Sequence, residues 1–209
     1  MPDRFTTLRW SKLTPDSFRF TAKFPQEIIH EKRLAAPEEE KIVEFFEVMR
    51  PLKEKLLALL IPLPPSLTMK EGRGNLERLI ELLDSDFRYA LEVRHGSWFD
   101  KKFYKFLSEN DICLAWSQLE TIQTPPELTT DFAYIRLIGD RSIDEKDFGR
   151  IQKYRRKEIE IWAARLKMAE KKINMAIVAA NNHYAGFAPA TANGFRKLLG
   201  QPEAMWDEI

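Results

Sequence analysis

YALEVRHGSW, Tyr89 to Trp98, reads as a strand that runs into a polar exit. Side chains alternate along a strand with period two, so Leu91 and Val93 share one side and Glu92 and Arg94 the other. Burying a carboxylate and a guanidinium is costly unless each finds partners. A strand that carries both therefore points to a site rather than to plain core. His95, Gly96, Ser97 and Trp98 follow at the strand exit.

The same split recurs along the chain. Strand candidates are FRFTAKF (18–24), LLALLIPL (56–63), YALEVRH (89–95), ICLAWSQ (112–118), FAYIRLIG (132–139) and NMAIVAANN (174–182). In the first, Arg19, Thr21 and Lys23 oppose Phe18, Phe20, Ala22 and Phe24; in the fifth, Tyr134 and Arg136 oppose Ile135 and Leu137. Between the strands, apolar residues spaced by three and four predict helices at Glu38–Lys55, Asn75–Leu83, Glu145–Lys172 and Thr191–Leu199. Asp100 predicts an N-cap for a helix running to Ser108. TIQTPPELTTD, which follows directly after the fourth strand and its flanking residues, reads as loop because prolines and β-branched residues oppose a helix. Strand–helix alternation predicts an α/β fold with a parallel sheet. A doubly wound sheet and a TIM barrel both satisfy it. Polar residues on one face of several strands favour the barrel, whose catalytic groups gather at the carboxyl ends of the strands.

Composition narrows the classes. With 209 residues, 44% hydrophobic and 31% charged, the chain suits one domain, 1–209, with a sizeable core. A formal net charge of +1 gives no overall case for nucleic acid or a membrane surface as partner. The basic cluster KYRRK (153–157) stands beside Glu158 and Glu160 and reads as a solvated helix face. A single cysteine, Cys113, excludes an intramolecular disulfide and fits a cytoplasmic protein. No apolar run reaches the roughly 20 residues of a membrane span, and the polar start MPDRFTTLRW reads as no signal peptide. Walker, GxGxxG, GxSxG and CxxC patterns are absent from the sequence, so no nucleotide cofactor is expected.

KFPQEIIH (23–30), PLPPSL (62–67), ALEVRHGSW (90–98), YIRLIG (134–139) and AANNHYAGFAPATA (179–192) together resemble the YecE-like proteins, domain of unknown function 72, in order and spacing. The resemblance implies a TIM barrel, and the family's activity is unsettled. The family usually begins with two further strands, one GTSGW-like and one VEINSTFY-like. This chain starts near the following segment, here TTLRW, so the expectation is a barrel truncated at its N-terminus, with about six of eight strand–helix units. Self-association through the open barrel edge follows as an expectation. Three positions depart from the pattern: Pro62 stands where the family has glutamine, Ile29 where it has threonine, and Ile138 where histidine is common.

Three groups of residues carry the candidate site. Lys23, Glu92, Arg94 and Arg136 would project to the barrel interior, where three cations face one carboxylate. That suits either a structural ion-pair network or an anion site, since arginine offers a planar fork to carboxylate or phosphate oxygens. His30, His95 and His183 each follow a strand. Such a set suits proton handling, a structural role in the loops, or a divalent metal with Glu92, although HxH and HExxH spacings are absent. Asn181 and Asn182 either cap the last strand's exit or orient a ligand, and Trp98 either stacks on a ligand or covers the rim. The leading expectation is a protein that binds or processes a small anionic ligand, phosphorylated or acidic. Lys23, Arg94 and Arg136 would neutralise its charge, and Glu92 and His95 would handle protons. The alternatives are a metal-dependent hydrolase or nuclease-type barrel, and a non-catalytic binding module or decayed barrel.

Overall fold

The structure, a computed structural model, describes residues 1–31 and 39–205. The chain divides into two compact units, Met1–Cys113 and Leu114–Ile209.

The first unit opens with α1 (Arg4–Leu13), whose N-cap Asp3 accepts a hydrogen bond from the Thr6 N–H. Then follow β1 (Phe20–Lys23), a π-helical turn (Glu27–Glu31), α2 (Glu39–Met49) and a 3-10 stretch (Arg50–Lys55). β2 (Leu56–Pro62), α3 (Met69–Glu81), β3 (Tyr89–Glu92), α4 (Lys101–Glu109) and β4 (Ile112–Leu114) complete the four-stranded sheet, in the order β1-β2-β3-β4. β1 with β2 and β2 with β3 pair in parallel, with Lys23 opposite Leu60 and Pro62 opposite Glu92. The inner part of β2, Ala58–Pro62, is buried throughout, as expected for a parallel strand covered on both faces. Phe24, Phe45, Phe46 and Tyr89 pack edge-on and tilted beside this sheet at centroid distances of 4.7 to 6.3 Å.

The second unit holds β5 (Trp116–Leu119), β6 (Phe132–Gly139), α5 (Arg156–Ala169), β7 (Met175–Ala180), α6 (Asn182–Ala185) and α7 (Ala188–Leu198). Its three strands pair in parallel in the order β5-β6-β7. Trp116 and Trp162 stack at 6.4 Å in a core that includes Ile135, Leu137, Leu166 and Phe195.

The α/β fold with parallel strands is as expected from the sequence. Its finer points differ. ICLAWSQ is not one strand: the chain leaves the first sheet at Ala115 and starts the second at Trp116. Strand pairing among the described residues therefore runs in two sheets, one of four strands and one of three. The helix expected over Glu145–Lys172 is confined to Arg156–Ala169 with short 3-10 turns at either end, because residues 148–155 form a loop hydrogen-bonded to Ala185 and Gly186. Arg19, expected in the interior, is exposed and folds back onto the carbonyls of Asp16 and Phe18. No helix among the described residues is long and apolar enough to cross a membrane.

Candidate functional site

β3 carries the first part of the site. Glu92 is fully buried, and the Arg94 Nε–H donates to its Oε1 at 2.6 Å. The two side chains meet on one side of the chain, as alternation requires. The terminal guanidinium nitrogens of Arg94 have no hydrogen-bond partner among the described residues, and the side chain is 21% exposed. Pro62 cannot donate a backbone hydrogen bond, but the ladder continues one residue later, where the Leu63 N–H donates to the Glu92 carbonyl at 2.9 Å. The proline thus leaves Glu92 in place.

His95 follows, half-buried. Its Nδ1 accepts the Ser97 N–H at 3.2 Å and lies 2.9 Å from the Ser97 Oγ, which itself accepts the Met69 N–H at 2.9 Å. Trp98 corrects an expectation: it offers no stacking face. The indole is fully buried, its Nε1–H donates to the Leu67 carbonyl at 2.8 Å, and it packs on Phe103 at 4.9 Å. Ring burial and a satisfied N–H make it core. Gly72 leaves room for it, since a Cβ there would lie 3.0 Å from the indole. Lys23 ends β1 and is exposed. The side chain of His30 lies outside the described residues.

In the second unit, Arg136 is 7% exposed on β6, in register with Ser117 on one side and Ala179 on the other. The Asn pair is engaged locally. Asn181 Oδ1 caps α6 by accepting the His183 N–H at 2.9 Å, and Asn182 Oδ1 accepts the Ala188 N–H at 2.8 Å. Their amide nitrogens make no hydrogen bond among the described residues. His183 meets the Phe148 ring edge-on at 4.9 Å, and its Nε2 lies 3.9 Å from Glu145. Its Nδ1 is buried without a partner among the described residues.

One cluster was not anticipated. Asp140, just past β6, accepts hydrogen bonds from Lys153, Ser142 and Arg155, the last at 3.2 Å. The Lys153 and Ser142 donors hold its carboxyl well below the usual carboxylate range. Arg155 also donates from Nε to the Tyr184 carbonyl at 3.1 Å, tying the loop to the segment after β7.

Among the described residues, no three His, Cys, Asp or Glu side chains come together to hold a metal ion.

Comparison with known proteins shows the family. The family described as "Protein of unknown function DUF72" matches residues 1–208. The chain belongs to the DUF72 family. The UPF0759 protein YecE of Escherichia coli K12 is 35% identical over 101 residues, which is 48% of this chain and 36% of YecE. The match thus spans little more than a third of the curated relative. A solved DUF72 protein from Thermotoga maritima MSB8 superposes with a TM-score of 0.81 at 25% identity, covering 96% of this chain and 81% of that one. One from Enterococcus faecalis V583 gives 0.79 at 26% identity, covering 96% and 86%.

Within this DUF72 chain, sequence reasoning missed Ser97 and the Asp140 cluster. Ser97 stands two residues after His95, a spacing at which a side chain reaches the backbone N–H ahead of it. That clue was available. Asp140 gave none, because its cations stand 13 and 15 residues away in a loop without periodicity.

Proposed function

We propose that this DUF72 protein binds a small anionic polar ligand, phosphorylated or acidic, at the carboxyl end of β3 in its first unit. One observation carries the reading: Arg94 is anchored through Nε on a fully buried carboxylate, while its outer nitrogens are available to a ligand. Anchoring one edge of a guanidinium reduces the freedom lost when the rest engages an oxyanion, and planar bidentate contacts are the arginine's strength. Glu92 then serves as the anchor that orients Arg94. Lys23, at the end of β1 in the same sheet, adds positive charge. The reading includes a TIM-type barrel as the finer form of the α/β fold and a cytoplasmic setting, which the lone buried Cys113 favours.

Calorimetric titration with inorganic phosphate, citrate and a sugar phosphate tests it. Saturable binding of at least one anion to wild type is expected, with affinity lost in Arg94→Met. Unchanged affinity in Arg94→Met, or no binding of any anion, would sink the proposal.

A further inference from the structure

We infer that Ser97 is a positioning residue that holds His95 as a neutral hydrogen-bond donor, with its proton on Nε2 and available to an anionic ligand; the inference rests on the anion reading above. The argument starts from a backbone group. The Ser97 N–H can only donate, so the His95 Nδ1 it reaches at 3.2 Å is the unprotonated nitrogen. The same nitrogen lies 2.9 Å from the Ser97 Oγ. That hydroxyl accepts the Met69 N–H at 2.9 Å, so its own proton is directed to Nδ1. Two donors thus converge on Nδ1, and the ring proton is left on Nε2. Nε2 has no partner among the described residues.

The consequence for chemistry is specific. A neutral imidazole whose one lone pair is engaged cannot take a proton at Nε2 from a ligand. His95 is therefore a donor to oxyanions rather than a general base. It favours ligands that offer an acceptor oxygen. The chain from Met69, at the start of α3, through Ser97 to His95 ties the ring to the loop after β2.

The test uses the full chain. Long-range nitrogen–proton correlation spectra of histidine-labelled protein near neutral pH report which ring nitrogen of His95 carries the proton, with assignment by the His95→Gln variant. The Nε2–H tautomer is expected in wild type, a mixture in Ser97→Ala, and recovery in Ser97→Thr, which restores the hydroxyl. A dominant Nδ1–H tautomer in wild type, or no change in Ser97→Ala, overturns the positioning role. Phosphate titration then separates the two proposals. His95→Gln, whose amide N–H reaches the Nε2 position, is expected to keep affinity within about threefold, while His95→Asn loses about tenfold, as for one hydrogen bond to a charged group. Equal affinities of these two variants overturn the donor role. Failure of Arg94→Met to weaken phosphate, with the tautomer as expected, overturns the anion site alone.

Discussion

Gly139 adopts φ +82°, and a Cβ there would lie 2.4 Å from the His183 carbonyl and 2.6 Å from the Tyr184 Cα. Both neighbours are backbone, so neither can turn aside. Gly139→Ala is expected to cost about 2–4 kcal/mol, combining a left-handed φ with a clash; a change in urea midpoint too small to measure would show that the segment after β7 can yield. The next residue gives a pH dependence. Asp140 has its carboxyl pKa depressed by Lys153 and Ser142. A group with a depressed folded pKa contributes stability that is present above its unfolded value and is lost as pH falls through the folded one. Wild type should therefore exceed Asp140→Asn in stability at neutral pH, and the gap should shrink as pH drops below about 4. Urea denaturation of both proteins from pH 7 to pH 2 measures it, and a gap independent of pH would mean that the charge of Asp140 contributes nothing. At this scale legibility was uneven. The Glu92–Arg94 pair follows from alternation alone. Trp98 did not, because the sequence shows a tryptophan beside a polar exit but not the Leu67 carbonyl that draws it inward.

At the scale of elements, period and capping made most strands and several helices legible. Asp100 caps α4 by accepting from the Lys102 and Phe103 N–H groups, as its position predicted. α3 starts earlier than its apolar periodicity suggests. Gly72 and Gly74 weaken the pattern, yet Thr68 and Glu71 form a capping box that fixes the start. Thr68→Ala should cost about 1 kcal/mol by leaving the Glu71 N–H without its cap. Trp98→Phe tests the neighbouring contact. It keeps an aromatic ring against Phe103 but leaves the Leu67 carbonyl short of a donor, for an expected loss of about 1–3 kcal/mol. If Trp98 is core, as its burial indicates, phosphate affinity in that variant stays at the wild-type value, and a selective loss of affinity would return it to the site. α1 was not foreseen because its apolar residues form no clean stripe: Phe5, Trp10 and Leu13 are 74%, 42% and 71% exposed. The two-sheet arrangement was equally hidden. Strand–helix alternation predicts parallel pairing, but Ala115, where one sheet gives way to the next, is only another small apolar residue in an apolar run.

For the molecule as a whole, charge sets how an anion can be held. With 33 basic and 32 acidic residues, the net field offers little long-range attraction, so the proposed anion binding would rest on local groups. KYRRK illustrates the balance. Lys153 and Arg155 meet Asp140, Arg155 also meets Glu158 at 3.4 Å, and Arg156 meets Glu160 at 2.8 Å. A surface compensated in this way should not behave as a polyanion-binding patch. Contacts with a few anchored cations predict a shallow salt dependence, because screening acts mainly on charges farther apart than the roughly 8–10 Å Debye length of moderate salt. Phosphate affinity should therefore fall no more than about fivefold between 50 and 200 mM NaCl. A nucleic-acid surface making six or more phosphate contacts would lose about a thousandfold over the same range. Titrating phosphate and a single-stranded oligonucleotide at both salt concentrations decides between them. Tight oligonucleotide binding with a steep salt slope would mean that the acidic partners of KYRRK give way, and would move the ligand class from a small anion to a polymer.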